Sequence, residues 1–188
     1  MTGFLRLAMI LPALAFSLPA HAQSESELRG FCEGATATPD QRIAGCSFLI
    51  DGGKEQDRRL ALAYCSRGHG FTEKREFDNA LADLNEAIRL DEDIPCAWLN
   101  RGRVHAFKRE IALALADYDR AIKVNPSFAL AYNNRGDLWT STGDAERAMA
   151  DFSTAIALDP ELAIAYGNRG HLFYRMRQYD KAIVDFTS

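Results

Sequence analysis

The stretch that decides the fold is Trp98–Pro126, WLNRGRVHAFKREIALALADYDRAIKVNP. Within this stretch, two sets of residues are spaced three, four and seven positions apart, which places each set on one face of an α-helix. The sets are Trp98, Gly102 and His105, and then Ala114, Tyr118 and Ala121. The stretch therefore predicts two helices, the second ending before Pro126, because a residue that precedes proline is disfavoured in the helical conformation.

Four kinds of landmark residue in this stretch return every 34 residues along the chain. The columns are Tyr64, Trp98, Tyr132 and Tyr166; Gly68, Gly102, Gly136 and Gly170; Ala80, Ala114, Ala148 and Ala182; and Asp83, Asp117, Asp151 and Asp185. A fixed period of this length indicates a repeat architecture in which each unit stacks on the next. We predict that the glycine and alanine columns are small because two helix backbones approach closely there.

These columns resemble the tetratricopeptide repeat family over about residues 57–188. The resemblance implies an all-α fold, a right-handed superhelical solenoid of antiparallel helix pairs with a concave groove lined by the first helix of each pair. One departure is a column of arginines where the family usually has an apolar residue. These are Arg67, Arg101, Arg135 and Arg169. We predict that each arginine pairs with the aspartate column.

The chain divides into three segments. Residues 1–22 begin with a positively charged region, continue with an apolar stretch over 7–18 and end with the cleavage signal Ala20-His21-Ala22. This order of features predicts a secretory signal peptide. Residues 23–56 are expected to form a degenerate helical hairpin that caps the stack, with short helices over 28–34 and 40–51. Residues 57–188 are expected to hold about four repeats, the last one incomplete.

Composition and motifs exclude several classes of function. The formal net charge is −4 and no basic run is present, so nucleic acid is not an expected partner. No membrane-spanning segment is expected after the signal peptide is removed. The sequence has no G-x-S-x-G, H-E-x-x-H or C-x-x-C motif and no phosphate loop. We therefore predict a protein that is not an enzyme and needs no cofactor.

The resemblance places function in the concave groove, whose lining includes an asparagine column, Asn100, Asn134 and Asn168. In some members of the family the matching amides hold the backbone of an extended peptide, because an amide offers both a donor and an acceptor. The alternative is that these asparagines only join adjacent helices. The other groove candidates are Arg103, Phe107, Asn133, Asp137, His171, Tyr174 and Arg175. The lysine pair with which related chaperone adaptors clamp a C-terminal carboxylate is replaced by Cys65 and Ile164.

Export makes the four cysteines, Cys32, Cys46, Cys65 and Cys96, candidates for disulfides, and their number alone allows three pairings. The resemblance places Cys65, His69 and Cys96 towards the concave side on neighbouring helices. A Cys65–Cys96 bond would join the first two repeats, and a Cys32–Cys46 bond would close the leading hairpin. We favour this pairing because an oxidising compartment removes free thiols. The rivals are a zinc site of Cys65, His69 and Cys96 and a catalytic pair of Cys65 and His69. A fourth zinc ligand is not evident, so no metal is predicted.

The function that these features predict is a non-catalytic scaffold for protein–protein interaction. It would bind an extended peptide or protein segment in the concave groove and act in the periplasm or as a secreted protein. The alternative is a structural subunit of an envelope complex that docks through its convex face or its ends.

Overall fold

A computed structural model describes residues 24–188, so the predicted signal peptide lies outside the described residues. Ten α-helices and no strand occur within this range. The helices are α1 (Glu25–Glu33), α2 (Pro39–Asp51), α3 (Asp57–Glu73), α4 (Phe77–Leu90), α5 (Pro95–Phe107), α6 (Ile111–Val124), α7 (Ala129–Thr142), α8 (Ala145–Leu158), α9 (Ala163–Arg175) and α10 (Tyr179–Phe186). The predicted all-α architecture is confirmed.

Each odd-numbered helix packs on the even-numbered helix that follows it, so the chain forms five hairpins within residues 24–188. The first helices of successive hairpins also contact each other, whereas the second helices do not. The stack is therefore closest along its first helices, which form the inner side of its curve. We call α1, α3, α5, α7 and α9 the inner helices, and α2, α4, α6, α8 and α10 the outer helices.

The glycine column lets each inner helix approach its outer partner. A Cβ atom built on Gly102 would lie 2.7 Å from the Tyr118 ring and 3.3 Å from the carbonyl oxygen of Ala114. Ala114 itself has no exposed surface. The equivalent contacts join Gly68 with Leu84, Gly136 with Phe152 and Gly170 with Phe186. The prediction that these columns are small because the helices approach closely is confirmed.

Each residue of the arginine column joins three parts of the stack. Arg101 donates from Nε and Nη2 to the Asp117 carboxylate of its own hairpin, at 2.8 and 2.7 Å. Its Nη1 donates to Asn85 of the preceding outer helix at 2.8 Å, and its guanidinium lies 4.8 Å from the centre of the Trp98 ring. The equivalent pairs are Arg67–Asp83, Arg135–Asp151 and Arg169–Asp185. The predicted pairing is confirmed at all four positions, and the aromatic contact is an addition to it.

The turns inside the four repeats share one left-handed residue. Arg75, Arg109 and Arg177 have φ values of 61°, 62° and 60°, and Gly143 has 88°. The amide after each of them closes the turn, as where Glu110 N–H donates to the carbonyl five residues earlier at 2.9 Å. Glycine is the usual residue at this point of a helix end. Only one of the four turns uses it, so the arginines adopt a conformation that their own type disfavours.

The hairpin of α1 and α2 stands before the first repeat. A capping box of Thr38 and Gln41 begins α2, with Pro39 in its first turn. The sulfur atoms of Cys32 and Cys46 lie at disulfide distance, with Cα atoms 4.7 Å apart. α2 packs on α3 and so continues the stack. Among residues 24–188, none of the helices has the length and apolar character needed to cross a membrane.

Candidate functional site on the concave surface

Two cavities on the concave surface of the described residues contain residues singled out from the sequence. The central cavity, of about 250 Å³, lies between α5 and α7. Its lining comprises Arg103, Ala106, Phe107, Tyr118, Asn134, Asp137, Leu138 and Ser141. The N-terminal cavity, of about 370 Å³, lies between the α1–α2 hairpin, α3 and α5. The structure therefore brings four of the predicted groove residues, Arg103, Phe107, Asn134 and Asp137, to one place.

The central cavity combines opposite charges with apolar walls. Within the described residues, neither Arg103 nor Asp137 forms an ion pair. Burial raises the pKa of the Asp137 carboxyl, and the nearby His171 opposes this shift. Burial also raises the pKa of the Tyr118 phenol, which stays protonated. Phe107 is half-exposed and supplies an apolar wall, so the cavity offers a cation, an acid, a phenol and an aromatic face.

The asparagine column divides into two kinds of environment. Asn168 donates to Asn133 Oδ1 at 3.0 Å across the α7–α9 contact, and Asn133 is only 2% exposed. Asn100 is also buried; its Nδ2 faces the Cys65 sulfur at 3.7 Å and its Oδ1 accepts from an arginine. Asn134 accepts from Asn133 at 3.2 Å, and its own amide donor has no partner within residues 24–188. Asn134 is thus the member of the column with a donor to offer at a cavity.

The remaining groove candidates lie on α9, beyond the central cavity. His171, Tyr174 and Arg175 are all exposed there. Tyr174 meets Tyr179 edge to face, with ring centres 5.6 Å apart. Arg175 lines a smaller cavity of about 180 Å³ together with Thr140. These side chains extend the candidate surface by one repeat towards the C-terminal end of the stack.

The N-terminal cavity is a feature that sequence reasoning did not predict. Its walls include the apolar residues Leu49, Leu62 and Ala63 and the polar residues Ser66 and His69. The sulfur atoms of Cys65 and Cys96 also lie on this wall, at disulfide distance, with Cα atoms 6.7 Å apart. Within the part of the chain that the structure describes, no group of three or more His, Cys, Asp or Glu residues is arranged to hold a metal ion.

Two guanidinium groups lie beside this cavity and act on His69. Burial lowers the pKa of His69, and repulsion from Arg103 and Arg42 lowers it further, while Glu73 opposes the shift. Arg42 is 8% exposed and donates weakly, at 3.4 Å, to the Ser66 hydroxyl. Its Nε is buried and has no hydrogen-bond partner within residues 24–188. Positive charge is therefore concentrated on one side of the N-terminal cavity.

Two family models, each described as tetratricopeptide repeat, match residues 61–94 and 99–163, which together are more than half of the chain. The chain contains tetratricopeptide repeats. The two matched ranges include the arginine–aspartate pairs from Arg67 to Asp151 and both walls of the central cavity. A search of curated proteins finds no match to the sequence.

Solved structures of other tetratricopeptide repeat proteins share the fold. A thermophilic protein of Thermus thermophilus is 16% identical, with a TM-score of 0.70 over 79% of this chain and 80% of its own. MamA from Desulfovibrio magneticus RS-1 is 18% identical, with a TM-score of 0.63 over 86% and 88%. The first repeat domain of Spaghetti (RPAP3), bound to the HSP90 peptide SRMEEVD, is 22% identical, with a TM-score of 0.59 over 66% and 99%. Identities this low establish the shared fold alone.

Proposed function

We propose that the protein is a non-catalytic interaction scaffold whose concave surface binds an extended peptide or protein segment. The observation that carries this proposal is the central cavity, where the free amide donor of Asn134 lies with unpaired Arg103 and Asp137. An extended segment presents unpaired backbone donors and acceptors, which an amide side chain matches. The two charges would select side chains of opposite sign at neighbouring positions, and Phe107 would hold an apolar one.

The solved relatives support this proposal through the fold. The Spaghetti (RPAP3) domain, which covers 66% of this chain, was solved with a bound HSP90 peptide. A stack of the same kind is therefore able to accept a peptide. The residues that would do so here are those of the central cavity, with His171, Tyr174 and Arg175 extending the surface along α9.

The proposal predicts that linear peptides bind and that the central cavity determines their affinity. Peptides selected from a random displayed library on the wild-type chain should lose about tenfold or more in affinity for the double variant Asn134→Ala, Asp137→Ala, because two polar contacts are removed. Affinity is measured by fluorescence anisotropy with the selected peptides. Leu113→Asp is the control, since Leu113 is exposed on the outer helix α6.

The control also tests the alternative, docking through the convex face. If Leu113→Asp abolishes binding and the cavity variant does not, the outer surface is the interface and the groove proposal is wrong. Selection of no peptide at all on a folded chain would contradict the groove proposal as well. Asn168 is left unchanged in this design, because its bond to Asn133 joins two helices and its removal would disturb the fold.

We also propose that the protein acts in the periplasm or outside the cell. The predicted signal peptide of residues 1–22 and the two cysteine pairs at disulfide distance support this compartment. Disulfides form and persist in oxidising compartments, whereas cytosolic thiols are kept reduced. Both pairs lie in the N-terminal half of the described chain, and Cys32, Cys65 and Cys96 line the N-terminal cavity.

Unreduced peptide mapping tests the cysteine pairing. Protein purified from its native compartment should yield one peptide pair linked through Cys32 and Cys46 and another linked through Cys65 and Cys96. The physical reason is proximity, since the Cα separations of 4.7 and 6.7 Å fall within the range that a disulfide bridges. Mass spectrometry with and without reduction is the measurement. Four alkylatable thiols in the native protein would contradict both the pairing and the proposed compartment.

A further inference from the structure

The N-terminal cavity has the make-up of a small-molecule site. Its volume of about 370 Å³ falls within the roughly 300–1,000 Å³ usual for ligand pockets. It exceeds what one amino-acid side chain of a bound segment would fill. Leu49, Leu62 and Ala63 make its walls apolar, and the polar residues Ser66, His69 and Asn100 also line it. Such a cavity fits an apolar ligand that carries one polar group.

The acidic residues of this cavity already have cationic partners. Glu55 is 6% exposed; its Oε1 accepts from Arg29 at 2.7 Å, and its Oε2 lies 3.2 Å from Arg59 Nε. Glu33 lies 3.2 Å from the same Arg29. Each carboxylate therefore has a cation within ion-pair distance, although the buried Oε2 of Glu55 accepts no hydrogen bond within residues 24–188.

The cations on the other side of the cavity have no such compensation. Within residues 24–188, no carboxylate lies within ion-pair distance of Arg42 or Arg103. The contacts of Arg42 with Ser66 and with the carbonyl of Ala35 are 3.4 and 3.5 Å long, at the limit for a hydrogen bond. A buried guanidinium without an anion is costly, because its lost hydration is not replaced. Glu73 lies 3.7 Å from His69 on this side, but the two guanidinium groups have no anion of their own.

Both guanidinium groups reach residues that line the cavity. Arg42 donates to Ser66, and Arg103 donates to the Oδ1 of Asn100 at 3.3 Å. His69 lies on the same wall, close enough for both arginines to repel its charged form. The two guanidinium groups therefore lie at the Ser66 and Asn100 side of the cavity, whereas the charged residues Glu33, Glu55 and Arg59 form another part of its lining.

We propose that the N-terminal cavity binds a small apolar monocarboxylic acid. Its hydrocarbon part lies along Leu49 and Leu62, and its carboxylate lies at the side of Ser66 and His69, where Arg42 and Arg103 supply the opposite charge. A free acid is favoured over the end of a bound polypeptide because the peptide groups of a chain end would have to lie against apolar walls. Arg103 lies between this cavity and the central one, but the peptide-binding test uses Asn134 and Asp137, so the outcomes of the two tests remain distinguishable.

Titration of the oxidised full chain with octanoate, octanamide and octylamine tests the proposal by NMR. Octanoate should shift the backbone amide signals of Leu62, Ser66 and His69. Octanamide should bind about tenfold or more weakly, since it loses the charge-assisted contact, and octylamine should not bind. Equal affinity for octanoate and octanamide would overturn the role of the arginines, and an absence of shifts with octanoate would overturn the site.

Matched variants separate binding from folding. Leu62→Asp should weaken octanoate binding about tenfold or more, because it adds a carboxylate that repels the carboxylate of the ligand. Leu130→Asp is its control, since Leu130 stands two repeats later and is similarly exposed, at 40% against 43%. Arg42→Gln should also weaken binding, whereas Lys123→Gln on the outer helix α6 should not.

A fourth probe, N-acetyl-leucine, distinguishes a free acid from the end of a polypeptide. The proposal expects it to bind more weakly than octanoate, because its peptide-like amide enters an apolar space. Tighter binding of N-acetyl-leucine at the same signals would assign the cavity to a chain terminus and overturn the free-acid proposal. Unchanged octanoate binding by Leu62→Asp would overturn it too.

Discussion

Replacing Asp117 with asparagine should lower the free energy of unfolding by about 3 kcal/mol, because it removes one partner of a largely buried ion pair. The Asp117 side chain is 6% exposed and that of Arg101 is 21% exposed. The substitution leaves the guanidinium with one amide oxygen in place of a carboxylate that accepts two hydrogen bonds. The measurement is urea denaturation followed by far-ultraviolet circular dichroism.

Asp119→Asn is the matched control for this experiment. Asp119 lies on the same outer helix and also pairs with an arginine, at 2.6 Å from Arg135, but its side chain is 62% exposed. Such a pair contributes about 0–1 kcal/mol. A double-mutant cycle with Arg101→Met isolates the coupling between the two charges. If Asp117→Asn is no more destabilising than Asp119→Asn, the arginine–aspartate column does not hold the hairpins together.

Replacing Gly102 with valine should destabilise the protein by about 3 kcal/mol, the upper part of the range for overpacked cores. The first added carbon would lie 2.7 Å from a ring atom of Tyr118, which is only 2% exposed, and 3.3 Å from the carbonyl oxygen of Ala114. The two methyl groups of valine would add to this conflict. The helices α5 and α6 would have to separate, so the loss should be visible in the same urea titration.

Gly167→Ala is the control, because a Cβ atom there meets no atom within 4 Å. Gly167 lies inside the helix α9, where alanine is favoured over glycine by up to about 1 kcal/mol. This variant should therefore be more stable than the wild type. A valine at position 102 that leaves the unfolding curve unchanged would contradict the close approach of the two helices.

The 34-residue period of the sequence predicts a large part of this fold, because residues at equivalent positions have the same structural surroundings. The same step that aligns Gly68 with Gly102 predicts a close helix contact in every repeat, and the structure has it. The pairing of Arg67 with Asp83 follows in the same way at three more positions. Four of the residues expected in the groove meet at one cavity because they lie on the inner faces of two adjacent repeats.

Other features depend on contacts that no column contains. Asn133 is buried because the amide of Asn168 covers it from the next inner helix, and its neighbour Asn134 looks the same in sequence. Arg42 belongs to the hairpin before the repeats. It has no equivalent position in them from which its lack of a carboxylate partner could be predicted. The left-handed conformation of Arg75 and Arg109 could not be predicted from the sequence, because that conformation favours glycine and not arginine.

Within residues 24–188, no helix contacts another that is more than two helices away along the chain. The hairpins at one end of the stack therefore do not need those at the other end in order to fold. In linear repeat proteins of this kind, stability is the sum of the contributions of each repeat and of its contacts with its neighbours. Local contacts of this kind also form quickly. A chain that is delivered with its N-terminus first is thus able to fold hairpin by hairpin while the remainder follows.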